Sequence, residues 1–446
     1  MIKRIVVILL IVLVNSFSSF SQNWQGLGTG MNSTVRTFYT DTIANKLYMG
    51  GNFTVSDGDT TWAITSWDGV AFDSLGGGML EANGPFPVLA ITRYNGNIYA
   101  GGLGSSGLAK WDGNTWQTAG VNGSVGSLEV FNNELYVGGA FDSVGGIAVN
   151  GLAKWNDTTW SDVHALPNYT LSGNNFVHAI IMYQGELFVG GNFSGNGGEN
   201  CVKWDGASWQ VIGGGFFGGN ADVATFEIYN NELYVGGSFH KADGNTADAV
   251  AKLNGNVWED VGGGMTSVNA TVFDLQVFNN ELWAAGGFTM AGGVQAVSVA
   301  KWDNSQWCAL GVALMGNGMQ QMGVYNNELY SGCDVVFDND TLNFIAKWAG
   351  GNFTDTCGTI VGIEDNAELE SGITIYPNPN NGSFTIEMRD YENVAIQIFN
   401  VTGQLILQKT LNQSPTKFDL TEYSKGMYFI KVFTDNQSVS SKIIKN

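Results

Sequence analysis

Few residues in this sequence could carry out acid–base, redox or metal chemistry, and those few are scattered. The only histidines in the 446 residues are His164, His178 and His240, whereas a copper oxidase needs histidine and tyrosine ligands close together. The central part of the chain has only Arg36 and Arg93, too few for the arginine cluster with which a sialidase would hold a carboxylate. No GxSxG, HExxH or phosphate-binding loop is present. We therefore predict no catalytic residue and interpret each histidine as incidental.

Carboxylates, by contrast, are abundant: the chain has 40 acidic and 19 basic residues and a formal net charge of −21. A pair of carboxylates could serve glycoside hydrolysis, although nothing in the sequence marks a particular pair. The loops Asp57–Asp59 and Asp338–Asp340 offer oxygen ligands for Ca²⁺, but neither has a complete ligand run, and solvated turns are the favoured interpretation. No other cofactor is expected, and a zinc site is not predicted because CxxC pairs are absent.

The negative charge lies mainly in residues 22–362, which hold 10 basic and 30 acidic residues. Such a field repels phosphate backbones, so nucleic acid is excluded as a partner. It suits cations, basic surfaces or neutral sugars, and it is equally consistent with a role in solubility alone.

The four cysteines are Cys201, Cys308, Cys333 and Cys357. In an exported protein they can form disulfides. The late cluster predicts that two of Cys308, Cys333 and Cys357 pair, and the sequence does not choose between them.

An internal repeat organises the elements that must position these residues. A block of the form NELYVGGSF recurs seven times, at intervals of 37 to 52 residues. The seven blocks lie at residues 45–53, 96–104, 133–141, 185–193, 231–239, 280–288 and 327–335. Each follows an apolar run and precedes an AKWDG-like block and an aromatic block that often ends in glycine. Each unit therefore predicts four short strands, and helix is expected to be scarce because no segment sustains a 3.6-residue period.

Two-residue turns are predicted within each unit. Asn–Gly, Asn–Asn or Gln–Gly pairs join the first strand to the second, as at Asn95-Gly96, and Asp–Gly pairs join the third to the fourth, as at Asp112-Gly113. These residues tolerate the positive φ that two-residue hairpin turns require.

Seven four-stranded units in residues 22–362 predict an all-β fold, a seven-bladed β-propeller, with a β-solenoid as the alternative. A further fourth-strand motif, residues 23–31, precedes the first unit. We expect it to complete the last blade, whose own fourth strand is degenerate.

Residues that recur at one position of the unit are interpreted as structural. The recurring tryptophans are predicted to pack in the core rather than to bind sugars; they are Trp67, Trp111, Trp155, Trp204, Trp302 and Trp348. The recurring lysines and glutamates are predicted to form cross-strand ion pairs; they are Lys110, Lys154, Lys203, Lys252, Lys301 and Lys347, with Glu134, Glu186, Glu232, Glu281 and Glu328.

The pattern LYVGG-F, AKWDG and W-x-x-LG-x-G resembles the propeller-like repeats of secreted bacterial proteins. It is also similar to the repeats of fungal cortical-marker proteins of the Rax2 type and, more loosely, to Kelch repeats. The resemblance implies the propeller architecture, but it implies no single activity and no shared catalytic residues.

The N-terminus predicts export. Lys3 and Arg4 precede an apolar run from Ile5 to Val14 and then small residues, which is typical of a signal peptide, here residues 1–21. No transmembrane segment is expected after its removal.

The composition changes near residue 363. Residues 363–372 are interpreted as an acidic linker. In residues 373–446 the alternation of period two, as in AIQIFNV and MYFIKVF, predicts a small immunoglobulin-like β-sandwich.

This C-terminal module closely resembles the type A C-terminal sorting domain of the type IX secretion system of Bacteroidota. The resemblance rests on the motifs YPNP, NVTGQ and GMYF and on a basic C-terminus. It implies that the type IX machinery is a partner and that the cargo is released or attached to the cell surface. The implied sorting residues are Tyr376, Pro377, Asn378, Pro379, Gly382, Gly403, Gly426, Tyr428, Lys442 and Lys445.

A recognition face is predicted from the topology of the repeat. A four-stranded meander places its second-to-third and fourth-to-first connections at one end, and these are the long, variable connections of this chain. Loops on a rigid scaffold are common binding sites. The candidate binding residues in them combine acids with aromatics: Trp62, Glu81, Phe86, Tyr169, Phe176, Phe216, Phe217, His240, Asp243 and Met315.

The leading functional prediction is a non-catalytic binding or adhesion protein, secreted or on the outer-membrane surface, that recognises a glycan or a protein. An envelope carbohydrate-active enzyme, either a glycosidase or a lyase, and a structural surface repeat protein are the alternatives. A compact acid pair with perturbed pKa values would favour the enzyme, an aromatic patch the binding protein, and uniform faces the structural role.

Overall fold

A computed structural model provides the structure of the chain. It describes residues 24–445 except 82–83, 164–175, 194–199, 219, 311–318, 334–342, 351–352, 355–356, 358–359, 362–372, 389–393, 401–404, 412 and 434–437. The predicted signal peptide and linker lie outside the described residues. Within these residues the regular structure is all strand, as predicted. None of them forms a helix long and apolar enough to cross a membrane.

The chain divides into two compact units. We call the first, which ends at Trp348 and also includes residues 353–359, the repeat domain, and the second, whose main part is residues 360–446, the C-terminal domain.

Short strands connected by tight turns make up both domains. The first 22 are β1 (Trp24–Gly26), β2 (Val35–Asp41), β3 (Lys46–Gly51), β4 (Val55–Ser56), β5 (Asp59–Thr60), β6 (Ile64–Trp67), β7 (Phe72–Asp73), β8 (Leu80–Glu81), β9 (Gly84–Pro85), β10 (Val88–Tyr94), β11 (Asn97–Gly102), β12 (Leu108–Trp111), β13 (Trp116–Thr118), β14 (Val121–Phe131), β15 (Glu134–Val144), β16 (Ile147–Ala148), β17 (Leu152–Trp155), β18 (Trp160–Asp162), β19 (Phe176–Tyr183), β20 (Glu186–Asn192), β21 (Cys201–Trp204) and β22 (Trp209–Val211). Those that follow are β23 (Phe216–Phe217), β24 (Val223–Tyr229), β25 (Glu232–Gly237), β26 (Lys241–Ala242), β27 (Asn245–Thr246), β28 (Val250–Asn254), β29 (Val257–Asp260), β30 (Met265–Thr266), β31 (Thr271–Phe278), β32 (Glu281–Gly287), β33 (Met290–Ala291), β34 (Val294–Gln295), β35 (Val299–Trp302), β36 (Trp307–Ala309), β37 (Met319–Tyr325), β38 (Glu328–Cys333), β39 (Ile345–Trp348), β40 (Phe353–Thr354), β41 (Ile360–Val361), β42 (Ile373–Tyr376), β43 (Ser383–Met388), β44 (Ala395–Asn400), β45 (Leu405–Thr410), β46 (Thr416–Asp419), β47 (Gly426–Phe433) and β48 (Ser438–Lys445).

Among the described residues, each of the seven repeats forms an antiparallel sheet around a path of four strands. From first strand to last, the paths are β2-β3-β6-β7, β10-β11-β12-β13, β14-β15-β17-β18, β19-β20-β21-β22, β24-β25-β28-β29, β31-β32-β35-β36 and β37-β38-β39-β1. The last path is completed by β1, which pairs with β39 so that Trp24 lies opposite Trp348. The prediction that the N-terminal motif completes the last sheet is therefore confirmed.

The strands that begin each path, which we call the first strands, contact one another in chain order, and β37 also contacts β2. A row of tyrosine hydroxyls joins neighbouring sheets. Each donates to a carbonyl in the first turn of the next sheet, at 2.9–3.0 Å; the pairs are Tyr94 to Asn133, Tyr183 to Asn231, Tyr229 to Asn280 and Tyr325 to Asn45. The last pair links the seventh sheet to the first, so the circle of contacts is closed.

The paired glycines of the repeat have two separate packing roles. A side chain on the first glycine, Gly50 in the first sheet, would collide with Val88 of the next first strand. A side chain on the second glycine, Gly51, would collide with the backbone at Thr34 and Val35 in its own sheet. The same contacts recur at Gly101 and Gly102. The glycine pair therefore allows one sheet to approach the next and its own first strand closely.

The predicted two-residue turns are confirmed between the first and second strands of six sheets, whereas the first sheet has a turn of four residues, 42–45. Between the third and fourth strands the prediction is wrong in length except in the fifth sheet, where Gly255 and Asn256 form a two-residue turn. Asn95 and Gly96 have φ of 44° and 81°, as a two-residue turn requires. The Asp112 turn has four residues instead of two. Its carboxylate accepts hydrogen bonds from the amides of Asn114 and Thr115 at 2.9 and 2.8 Å, and this side-chain bridge stabilises the longer loop.

The recurring tryptophans and five of the six recurring lysines have structural roles, as predicted, and the role of Lys110 stays a prediction. Ion pairs with N–O distances of 2.6–2.9 Å join Lys154–Glu134, Lys203–Glu186, Lys252–Glu232, Lys301–Glu281 and Lys347–Glu328. Each recurring tryptophan is buried or half-buried and packs against an aromatic ring on its sheet's fourth strand, as Trp111 does on Trp116, with ring centroids 5.4 Å apart.

The predicted disulfide is Cys308–Cys357, whose partners have a sequence separation of 49. It attaches the segment after the last sheet to β36 of the sixth sheet. Cys201 and Cys333 are buried and lie outside it.

In the C-terminal domain, the sheets β42-β43-β46 and β45-β44-β47-β48 share one hydrophobic core. Phe384 and Phe418 of the first sheet and Ile396 and Ile430 of the second are buried in it.

Candidate functional site

Every first strand has a β-bulge at the same position. The ladder to the second strand skips one residue, for example Arg36 between Val35 and Thr37. The seven skipped residues are Arg36, Leu89, Gly126, His178, Ala224, Phe273 and Gln320. Apart from Gln320, whose side chain lies outside the described part, all are half-buried. We call this set the bulge ring; bulges commonly redirect side chains near functional sites.

The chemistry of the bulge ring varies although its geometry repeats. Arg36 Nε donates to Asn52 Oδ1 at 3.2 Å. Arg93, the other arginine of the repeat domain, forms an ion pair with the buried carboxylate of Asp41 at 2.6 Å. Sequence reasoning noted Arg36 and His178 but missed their common position. The signal that could have found it is a glycine opposite the residue before the bulge, which makes room for the bulged backbone; six repeats have it, Gly51 and Gly102 among them, whereas the seventh has Cys333 there.

Three carboxyl groups lie on first strands just beyond the bulge. Burial raises the pKa of Glu129 to about 7. Burial, together with repulsion from Asp274, raises the pKa of Glu227 to about 8. Burial also raises the pKa of Asp274 to about 7. These three groups are therefore partly protonated near neutral pH, whereas exposed carboxylates are ionised there.

Asp274 connects three neighbouring first strands. It accepts a hydrogen bond from the amide of Met322 on β37 at 2.7 Å and a long one, 3.5 Å, from the hydroxyl of Thr225 on β24. These contacts hold Asp274 in place and leave Glu227 as the more accessible member of the pair.

A second cluster lies at the bulge of β19. The rings of Phe176 and His178 are stacked, with centroids 4.5 Å apart and planes inclined by 22°. His178 Nε2 lies 3.5 Å from Asp222 Oδ2, at the start of the next first strand. Burial raises the pKa of Asp222, and the nearby histidine opposes that shift.

The long connections meet at one end of neighbouring sheets, as predicted. In the chain order of the repeat, β23 belongs to a fourth-to-first connection and pairs with β26 in a second-to-third connection. β30 and β33 pair in the same way, and Met31 bridges Ser56.

The ten predicted binding residues have different environments. Phe86 and Phe216 are buried in hydrophobic clusters. Asp243 lies in a turn, and it accepts hydrogen bonds from the amides of Gly214 and Trp258, both at 2.6 Å. Trp62 is half-buried and forms a bridge with Gly78.

Phe217 and His240 are exposed, and the latter lies 2.9 Å from Asp248. Phe176 belongs to the cluster above. Glu81 lies on β8, while Tyr169 and Met315 lie outside the described residues. Exposure therefore favours Phe217 and His240 among the ten, and the binding role of all ten stays a prediction.

The predicted calcium loops stay untested. Asp57 lies in the turn between β4 and β5, and its Oδ1 accepts a hydrogen bond from the amide of Thr29 at 2.7 Å. Asp338–Asp340 lies outside the described part of the chain. Asp303, Cys308 and Cys357 lie within metal-binding reach of one another, but the disulfide uses both sulfurs.

The predicted sorting residues converge in the C-terminal domain. Lys445 is buried, and its ammonium donates to the carbonyls of Leu420 at 3.0 Å, Thr421 at 2.8 Å and Tyr423. Asn378 Oδ1 accepts a hydrogen bond from the amide of Ile444 at 2.9 Å.

The other sorting residues lie in strands, in the segment between β42 and β43, or outside the described part. Tyr376, Gly426, Tyr428 and Lys442 lie in strands, and Pro377, Pro379 and Gly382 lie in that segment. Gly382 has a φ of 99° and lies near Lys445. Tyr428 donates to the carbonyl of Ser424 at 2.6 Å. Gly403 is not among the described residues.

Residues 374–446 match the family described as "Secretion system C-terminal sorting domain". The protein is thus an exported cargo protein that the type IX secretion machinery recognises, and it is secreted or attached to the outer-membrane surface.

Two curated proteins share a short stretch with the chain. Ulvan lyase NLR42 of Nonlabens ulvanivorans is 33% identical over 84 residues, which are 18% of this chain and 16% of that protein. An endo-acting ulvan lyase of Formosa agariphila is 27% identical over 77 residues, 17% of this chain and 15% of that protein. The match therefore spans less than a fifth of either relative's length.

Two solved structures from Bacteroides thetaiotaomicron are similar at low identity. The extracellular domain of a hybrid two-component system protein is 12% identical, with a TM-score of 0.30, and the alignment covers 95% of this chain and 78% of that one. A structural genomics protein of unknown function is 10% identical, with a TM-score of 0.33 and coverage of 71% and 97%. Both TM-scores are too low for either structure to define the fold of this chain.

Proposed function

We propose that the repeat domain is a seven-bladed β-propeller that binds a glycan or a protein, without catalysis, at or beside the cell surface. The bulge ring carries this proposal, since it places a different side chain at one position of an otherwise repeated frame. A purely structural repeat has no need of arginine, histidine and phenylalanine at equivalent bulges.

The closed circle of first strands supports the propeller over a solenoid, because a solenoid leaves its first and last repeats apart. The pairing of β1 with β39 supports it in the same way. The two sheets around one core support an immunoglobulin-like sandwich for the C-terminal domain.

Binding is tested with the purified exported protein on a glycan array and in pull-downs from cell-surface extracts. We expect an R36A/F273A double variant to lose binding because it empties the ring of its cation and one aromatic ring. The matched control is I43A/V70A, two exposed side chains in tight turns of the first sheet, 82% and 86% exposed. Equal binding by both double variants would contradict the proposed site.

A second candidate function, an envelope carbohydrate-active enzyme, is favoured by Glu227 and Asp274. They lie on adjacent first strands, and burial raises both pKa values towards neutrality, as general acid catalysis requires. The stretch shared with two ulvan lyases is consistent with a polysaccharide as substrate.

Catalysis is tested by incubating the protein with ulvan and with neutral polysaccharides. New reducing ends would indicate hydrolysis, and a new ultraviolet absorbance would indicate an unsaturated lyase product. If the pair is catalytic, E227Q abolishes turnover while E259Q, at an exposed glutamate on β29, does not. Absence of any product leaves the binding function as the conclusion.

A further inference from the structure

Two neighbouring sheets depart from the repeat at adjoining positions. His178 is the only histidine of the bulge ring, and Asp222 directly precedes β24. The residues equivalent to Asp222 in the other sheets carry no acid; they are Thr34, Pro87, Ser124, Phe176, Thr271 and Gly318. The two departures therefore come together once in the circle, where β19 packs against β24.

The resulting cluster is open to solvent on one side. The side chains of His178 and Asp222 are 36% and 26% exposed. Phe176 is half-buried and stacks on the histidine ring, so each ring covers one face of the other and leaves one face for a further contact. Gly126, the bulge residue of β14, has no side chain and thereby leaves space for the edge of the Phe176 ring.

Asp222 has a hydrogen-bonding capacity that the described residues do not use. One oxygen, Oδ2, faces His178, whereas Oδ1 is buried and has no hydrogen-bond partner among the described residues. The backbone cannot turn it elsewhere, because Asp222 exchanges both main-chain hydrogen bonds with Ser238, at 3.3 and 2.9 Å. Because Oδ1 has almost no accessible surface, the exposed part of the side chain lies at Oδ2, which is the oxygen that a ligand can reach.

We propose that Phe176, His178 and Asp222 form a subsite for one sugar ring of a glycan. Asp222 accepts a hydrogen bond from one hydroxyl through Oδ2, His178 contacts a further oxygen, and a free ring face of the Phe176–His178 stack packs against the C–H face of the sugar. This subsite rests on the proposed glycan binding and names its contact residues. A cation fits less well, since Asp222 belongs to no group of three metal-ligating side chains among the described residues.

The test uses the purified full-length exported protein and a panel of immobilised polysaccharides, neutral ones and ulvan among them. An oligosaccharide of the polymer that binds best is then titrated into wild type, D222N and D59N, the last being a control on the exposed strand β5. We expect D222N to weaken binding at least about tenfold, because it removes a charged acceptor, with D59N unchanged. Thermal unfolding establishes that all three proteins are folded.

A second readout locates the contact directly. The chain has three histidines, so H178N, H164N and H240N assign each imidazole signal in a ¹H–¹³C spectrum. The oligosaccharide should shift the His178 signal alone. G126A should weaken binding as well, since its new methyl group displaces Phe176 while Asp222 and His178 remain.

The possible outcomes separate the subsite from the broader function. If wild type binds a polysaccharide while D222N and G126A bind equally well and the His178 signal stays in place, the subsite is wrong and the binding function stands. If wild type binds no polysaccharide on the panel, both the subsite and the glycan-binding function fail.

Discussion

Glu129, Glu227 and Asp274 lose most of their contact with water because the first strands of neighbouring sheets pack side by side. Their folded-state pKa values, about 7, 8 and 7, lie well above those of exposed carboxyl groups, about 4. The unfolded chain therefore releases these protons at a lower pH than the folded chain does. Their contribution to stability is complete below about pH 4 and is lost as the pH rises through 7 to 8.

We expect E227Q to reduce this pH dependence, since glutamine keeps the shape of the neutral acid and cannot ionise. Between pH 5 and 8, the free energy of unfolding of wild type should fall more steeply than that of E227Q, by up to about 1.4 kcal/mol per pH unit. Urea unfolding at several pH values measures the slopes. E259Q is the control, and equal slopes for E227Q and wild type would refute the assignment.

Sequence reasoning found these acids only as part of a large acidic total. Alternation along β24 could place Glu227 on one face of its strand, but burial depends on β31 in the next sheet, about fifty residues later. The same limit applies to Asp222, whose significance comes from His178 in a different repeat. Contacts between repeats, rather than patterns within one repeat, decide which polar residues can form a site.

At the scale of elements, β1 has a role out of proportion to its three residues. Trp24 is 2% exposed and packs edge-on against Trp348, with ring centroids 5.1 Å apart. Trp348 in turn contacts Trp283 of the neighbouring sixth sheet at 5.4 Å. The strand thus supplies the fourth strand of the last sheet and part of the core between the last two sheets.

We expect W24A to destabilise the repeat domain by about 3 to 5 kcal/mol, the cost of emptying a buried tryptophan site. W160A removes the equivalent tryptophan of the third sheet, which is half-buried and belongs to a strand continuous with its own sheet. Its cost should be smaller. Thermal unfolding of the two variants compares them, and an equal loss of stability would argue against a special role for β1.

The disulfide is a second covalent element whose contribution can be measured. A C308S/C357S variant should lose about 2 to 4 kcal/mol of unfolding free energy, because the bond restrains a 49-residue segment of the unfolded chain. Wild type unfolded with and without a reducing agent provides the comparison. If reduction does not change the unfolding midpoint of wild type, the bond contributes nothing to stability.

The strands were predictable because each is short, is bounded by residues with positive φ and recurs seven times. The bulge was not predicted, although a glycine lies opposite the residue before it in six of the seven repeats, because a glycine in a strand has several possible causes. The turn between the third and fourth strands, as at Asp112, was predicted too short. Asp–Gly suits a two-residue turn and equally a four-residue turn closed by the aspartate side chain.

For the whole molecule, the C-terminal domain directs the protein to the type IX machinery, and the repeat domain carries the proposed binding function. Deleting residues 374–446 should retain the protein inside the cell envelope, with almost none on the surface or in the medium. Cell fractionation and immunoblotting measure this. A truncated protein that still reached the surface would show that another part of the chain directs transport.

The pairing of Trp24 with Trp348 has a consequence for the order of events during synthesis and export. Six sheets can form as their own residues emerge, but the seventh needs the first strand of the repeat domain and one of the last. Strand β1 therefore has no partner strand until more than three hundred residues have followed it. Such long-range pairing is a slow step in folding. A stalled or truncated chain would expose the flanks of its first and last sheets, which makes incomplete molecules recognisable to proteases.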